Sequence, residues 1–142
     1  MKKFIFLVIA AMVLLLIILL FSNNRTEGEV MWGRTDKERT DVLKGFGWEV
    51  SDTPIESEAI RLPGQMDAVY SEYNKIQKKA GLSLENYLGM AAVRYTYEVK
   101  NHTNGGAHQV RANLIVCEGK VIAGDIMITA IDGFMHALNE RE

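Results

Sequence analysis

Val93-Arg94-Tyr95-Thr96-Tyr97-Glu98-Val99 and Val110-Arg111-Ala112-Asn113-Leu114-Ile115-Val116 are the stretches that decide the fold. In the first, Val93, Tyr95, Tyr97 and Val99 alternate with Arg94, Thr96 and Glu98. In the second, Val110, Ala112, Leu114 and Val116 alternate with Arg111 and Asn113. A period of two belongs to a half-buried β-strand, whose successive side chains point to opposite faces. Asn101 to Gly106 supplies turn residues between the two. Glu118-Gly119-Lys120 then makes a tight connection to a third strand, Val121 to Ile128. Strands joined by such short turns pair antiparallel, because a parallel pair needs a crossover of about a dozen residues or more. The expectation is an α+β domain built on a three-stranded antiparallel C-terminal meander.

Working outward, Met66 to Ala80 changes period. Val69, Tyr70, Tyr73 and Ile76 recur at helical spacing, with Lys75, Lys78 and Lys79 elsewhere and Gly81 at the end. This amphipathic helix is expected to cover one face of the sheet. Upstream, Thr35 and Glu38 form a capping box for a helix running through Val42 and Leu43, which should stop at Gly45. Phe46 to Val50 and Glu58 to Leu62 read as short strands that would add at the sheet edge, broken by Pro54 and ended by Pro63-Gly64. A turn of helix is expected at 84–88. A last helical turn, Phe134 to Leu138, is expected after Asp132-Gly133.

At the N-terminus, 18 consecutive residues from Phe4 to Phe21 carry no charge and show no polar stripe. At about 1.5 Å per residue they reach roughly 27 Å, close to the ~30 Å hydrocarbon core. A cleaved signal peptide has a shorter apolar run, about 7–15 residues, and a small-x-small exit. Here the exit reads Leu19-Leu20-Phe21-Ser22-Asn23-Asn24. An uncleaved single-pass anchor is the better reading. Lys2 and Lys3 before the span leave residues 1–3 in the cytoplasm and the rest outside the cell membrane. The expected organisation is an anchor at 4–21, a polar linker at 22–34 and an extracytoplasmic domain at 35–142.

Beyond Phe21 the chain keeps all 18 acidic residues and loses only Lys2 and Lys3 of its 16 bases, a net of −4. Mixed, mildly acidic charge lacks the basic footprint that nucleic acid or anionic lipid requires. One cysteine, Cys117, cannot make an internal disulfide, so the domain rests on its apolar core. Cys117 itself reads as a small buried residue on a strand.

Few residues carry chemistry. His102 and His108 flank a Gly-rich turn with no third ligand at metal spacing, and read as exposed turn residues. Asp132 and His136 would lie four apart on one helical face, and in a hydrolase reading Asp125 or Asp132 would orient His136 as a base. No Ser or Cys nucleophile is placed beside them, and Asp132 has a structural role at an Asp-Gly turn. Trp48, Tyr70, Tyr73, Tyr95 and Tyr97 would line a groove or, at their periodicity, fill the core. Asn104-Gly105-Gly106 lies between two strands and does not resemble a phosphate loop.

Several motifs occur in a recognisable order: Gly47-Trp48-Glu49-Val50, Leu62-Pro63, Val69-Tyr70-x-x-Tyr73-Asn74-x-x-Gln77, Arg94-Tyr95-Thr96-Tyr97, Arg111-Ala112-Asn113-Leu114, Gly124-Asp125 and Asp132-Gly133-Phe134-Met135-His136. Together they resemble the family catalogued as domain of unknown function 4830, of clostridia-like Gram-positive bacteria, over roughly residues 36–138. Ala123 stands where that family has a glycine before Gly124-Asp125, and Ala137 where a glycine is usual. The resemblance implies an envelope-attached domain and brings no activity with it.

The functional expectation is therefore a non-enzymatic binding module of the bacterial cell envelope, facing an envelope protein or wall component, without cofactor, metal or nucleic acid. Its binding residues would come from Tyr73, Tyr95, Tyr97, Asp125, Asp132 and His136. The alternative is a small-ligand sensor or carrier with a pocket between helix 66–80 and the sheet; a hydrolase using His136 stands behind both.

Overall fold

The computed structural model describes residues 1, 12–13, 29–106 and 109–141. The apolar segment 4–21 (Met12 and Val13 apart), most of the linker and His108 lie outside them. Among the described residues, no helix is long and apolar enough to cross a membrane.

The elements are α1 (Asp36–Gly45), β1 (Glu56–Arg61), α2 (Ala68–Lys79), β2 (Ala91–Glu98), β3 (Gln109–Cys117), β4 (Lys120–Thr129) and β5 (Met135–Ala137). The fold is α+β, and the sheet is antiparallel with order β1-β2-β3-β4-β5. The meander expected from the alternating residues is its centre. One edge strand comes from the first half of the chain and the other from the C-terminus.

The capping box is present: Thr35 Oγ1 accepts from the Glu38 amide at 3.1 Å, and Glu38 Oε2 accepts from the Thr35 amide at 3.3 Å. The left-handed residue that ends α1 is Gly47 (φ 87°), two positions beyond the expected Gly45. Trp48 N–H then bonds Leu43 O at 3.0 Å and Gly47 N–H bonds Lys44 O at 2.8 Å, a Schellman closure. This closure throws Trp48 under the sheet, where it is 1% exposed and donates from Nε1 to Leu138 O at 2.7 Å. Phe46 to Val50 is consequently no strand. Only the bridge Val50↔Val99 joins it to the sheet. The short strand expected there is a core plug rather than a ladder.

Both faces of the sheet are covered, not one. On the first, α1 and Trp48 pack with Leu43, Tyr97, Leu114, Ile126 and Leu138, each worth about 1.5–3 kcal/mol on full burial. Arg39 is buried beneath α1. It donates from Nε to Tyr97 Oη (2.8 Å) and from Nη1 to Gly33 O (2.7 Å), pairs with Asp36, and lies 3.7 Å over the Tyr95 ring. On the second face, Leu62, Leu84, Ile115, Ile122 and Ala123 pack with Tyr70 and Tyr73 of α2.

The sheet-facing stripe of α2 differs from the apolar one in its sequence. Asn74 and Gln77 are buried, while Val69 is 75% exposed. Asn74 Oδ1 accepts from the Leu84 amide at 2.8 Å, and Gln77 Oε1 accepts from the Gly124 amide at 2.7 Å. Two polar helix residues thus satisfy backbone donors that would otherwise be orphaned. The turn expected at 84–88 is a short 3-10 helix, Glu85–Tyr87.

The helical turn expected at 134–138 is instead strand β5, with Asp125↔Ala137, Ile126↔His136 and Met127↔Met135 in register. The outer edge of β4 offers a ladder that a single isolated turn of helix cannot match. Gly133 makes the return possible, since a Cβ there would sit 2.0 Å from Ile128 O.

Candidate functional site

Because β-strand side chains share a face when directly opposed, register decides which polar residues meet. Glu56↔Thr96, Thr96↔Asn113, Asn113↔Asp125 and Asp125↔Ala137 form one continuous row across all five strands, on the α2 face. Its three buried polar members are Thr96 and Asn113 at 7% exposure and Asp125 at 2%; Ala137 is buried beside them.

They are wired together. Thr96 Oγ1 donates to Asn113 Oδ1 at 2.8 Å, and Asn113 Nδ2 donates to Asp125 Oδ1 at 2.9 Å. Tyr73 of α2 closes the row by donating its hydroxyl to Asp125 Oδ2 at 2.9 Å. Burial pushes the Asp125 carboxyl above the ordinary carboxylate range, and the Asn113 and Tyr73 hydrogen bonds pull it partly back. Burial, with the neighbouring Asp125 carboxylate, raises the Tyr73 phenol well above its usual value, so it stays a donor.

Beside α2 this face of the sheet forms the floor of a groove. The resulting groove encloses about 1180 Å³. Its floor is Thr96, Asn113 and Asp125; Ile55, Ile60, Val69, Tyr70, Met127 and Met135 supply apolar walls. Arg94, ion-paired with Glu58, and Arg111, bonded to Gln109 Oε1 at 2.8 Å, add charge at its sides. Apolar walls around a few converging polar groups are the usual form of a ligand site.

The expected site residues divide between the two faces. Tyr73 and Asp125 come together in the groove. Tyr95 and Tyr97 point to the opposite face, where Tyr97 is fully buried against Arg39. Asp132 is exposed in the turn before β5. His136 is on a strand, so the helical i,i+4 pairing with Asp132 does not exist. Instead His136 is buried with His102, their Nε2 atoms 3.3 Å apart and Trp48 stacked on His102 at a centroid distance of 5.6 Å. His102 is therefore a core residue and not an exposed turn residue.

Sequence reasoning passed over Thr96, Asn113, Arg94 and Glu58. The available signal was that polar residues hold alternate positions of β2 (Arg94, Thr96, Glu98) and β3 (Gln109, Arg111, Asn113); β4 carries only Asp125 and Thr129 on that face. Cys117 is buried, its Sγ 3.4 Å from Ala91 O, and burial raises its thiol. Among the described residues no three His, Cys, Asp or Glu side chains converge on a metal position.

No curated protein and no solved structure matches the chain. Residues 42–126 match the family described as Domain of unknown function (DUF4830). The matched stretch runs from within α1 into β4 and carries Tyr73, Thr96, Asn113 and Asp125, the whole hydrogen-bonded row. It makes up more than half of the 142 residues, and the chain belongs to this family, Domain of unknown function (DUF4830).

Proposed function

We propose that the domain is a non-enzymatic binding module of the cell envelope, held at the membrane by residues 4–21, and that its ligand lies in the groove between α2 and the sheet. The observation that carries the reading is the groove itself: apolar walls over the buried Thr96–Asn113–Asp125–Tyr73 row. A row so fully satisfied holds its polar atoms in fixed directions, which favours orientation of a ligand over proton transfer. Among the described residues, the groove lining holds no Ser or Cys. His136, the residue a hydrolase would use, is buried on the opposite face.

Site-specific photo-cross-linking in cells tests this. A photoreactive residue is placed at Val69 or Ile55 on the groove wall, with Lys37 on the outer face of α1 as control. A recurrent adduct at both wall positions and none at Lys37 is expected. Equal labelling at all three, or none at the wall, would refute the groove as the site.

A further inference from the structure

The outer edge of β1 carries unused backbone hydrogen-bonding capacity. Leu62 N–H donates to Met90 O at 2.9 Å, which fixes the parity of the β1–β2 ladder. Glu56, Glu58 and Ile60 therefore bond towards β2, and the N–H and C=O groups of Ser57, Ala59 and Arg61 point away from the sheet. Among the described residues no strand pairs with that side. Glu56, Ser57, Glu58, Ala59 and Arg61 are all exposed, and the register runs unshifted from Glu56 to Arg61; just before it Ile55 N–H also bonds Thr96 O, at 2.8 Å. Pro54 and Pro63 bracket the strand and limit how far pairing can extend.

We infer that the outer edge of β1 is a docking edge for an extended peptide with basic residues at alternate positions, which adds to the sheet as a further strand. Charge selects this partner. Glu56 and Glu58 project on one face of β1, with Asp52 exposed just upstream. Arg94 pairs with Glu58, whereas Glu56 has no ion pair among the described residues. Partner residues directly opposite Glu56 and Glu58 would have their Cβ atoms about 4.5–5.5 Å from those of the glutamates, where Lys or Arg is favoured. On the other face Ser57 and Ala59 are short and leave room for larger apolar residues. Arg61 is directed away, donating from Nη1 to Gly89 O at 2.7 Å.

The same charges disfavour a second copy of the chain. Antiparallel self-pairing follows a twofold axis perpendicular to the sheet and keeps like faces together. It would gather two Glu56 and two Glu58 carboxylates on one side of the seam, and like charges across strands are destabilising. The edge is a surface of its own: β1 also walls the groove, but its outward backbone atoms face away from the groove ligand.

The test is fluorescence anisotropy of the full-length chain in detergent micelles with labelled synthetic peptides of about eight residues, the length of an ordinary strand. Three probes are used: alternating Lys and Val, alternating Glu and Val, and the Lys–Val peptide N-methylated at alternate amides. The Lys–Val peptide is expected to bind about tenfold or more tighter than either of the others, each lost hydrogen bond and charge contact contributing a few-fold. Ala59→Pro removes one outward N–H and leaves the inward ladder intact, so binding should fall several-fold with melting unchanged. Glu56→Lys should reverse the preference between the Lys and Glu peptides.

Equal binding of the N-methylated peptide overturns the proposal, as does full binding by an Ala59→Pro chain that melts normally. A dimer that dissociates on Ala59→Pro assigns the edge to a second copy and also overturns it. If Ala59→Pro does not fold, the N-methylated probe against the unaltered chain decides.

Discussion

Gly124→Ala and Gly45→Ala are the same chemical change with opposite expected signs. A Cβ at Gly124 would stand 2.6 Å from Leu138 Cδ1, 2.9 Å from Leu114 Cδ2 and 3.0 Å from the carbonyl oxygen of Asn113. The two leucines can rotate only within a filled core, and the Asn113 oxygen is held by the β3–β4 ladder. Overpacking of this kind costs about 1–3 kcal/mol, and the reduced freedom of the unfolded chain returns ~0.4–1 kcal/mol. The net expectation is a loss of about 1–2 kcal/mol.

At Gly45, the last residue of α1, a Cβ meets nothing within 4 Å. Alanine there should gain about 0.5–1 kcal/mol from helix propensity and chain entropy. For a domain of this size each kcal/mol moves the midpoint by roughly 5 °C. Thermal unfolding followed by circular dichroism should therefore show Gly124→Ala melting roughly 5–10 °C low and Gly45→Ala a few degrees high. A Gly124→Ala protein melting at or above the parent would refute the packing argument.

Asp125 should give the chain a characteristic pH dependence. Its folded-state carboxyl is raised, so the folded state binds the proton more tightly than the unfolded one; that contribution is complete below the unfolded value of about 3.9 and is lost as pH rises through the raised folded value. Urea midpoints of Asp125→Asn relative to the parent should therefore climb across that window and then level off, whereas a difference independent of pH would sink the assignment. Arg39→Ala strands the Gly33 carbonyl and the Tyr97 hydroxyl in the core and should destabilise by about 3–5 kcal/mol in urea titration, with a loss under ~1 kcal/mol counting against the burial argument. The Asn104 amide donates to His102 Nδ1 at 3.1 Å, which makes His102 Nε2 the donor to His136 Nε2 and His136 Nδ1 the donor to Ala137 O. Nitrogen NMR should find the Nε2–H tautomer at His102 and the Nδ1–H tautomer at His136; the reverse pair would refute the chain of bonds.

The parts legible in sequence are those whose cause is local. The Thr35–Glu38 capping box, the helical spacing of α2, the alternation in β2 and β3 and the turn at Glu118-Gly119 each depend on neighbours a few residues away. Strand β5 was missed because Met135–Ala137 is too short to show a period and is a strand only because β4 offers an edge to it. Trp48 in an apolar alternating run looks like a strand residue until the left-handed Gly47 turns it into the core. The groove was hidden for a related reason. Alternation marks Arg94, Thr96 and Asn113 as outward, and outward usually means solvent, while Asp125 is a lone polar residue in an apolar run. Only register shows that Thr96, Asn113 and Asp125 share a row, and only the path of α2 shows that the row floors a groove.

Within the sheet each strand is hydrogen-bonded only to its neighbours in sequence, which has a kinetic consequence. The β3–β4 hairpin turns on Glu118 (φ 51°) and Gly119 (φ 77°), a two-residue loop whose twist suits paired strands. Closing so small a loop costs little entropy, so this hairpin is the natural nucleus, with mutational φ-values near one expected around Leu114 and Ile126. β1 must wait for the long segment holding α2 to fold back before it meets β2. Substitutions in β1 should accordingly speed unfolding and leave the folding rate almost untouched. The strand with the open edge is then the last to dock and the first to leave, a margin of the domain able to open while its hairpin nucleus stays intact.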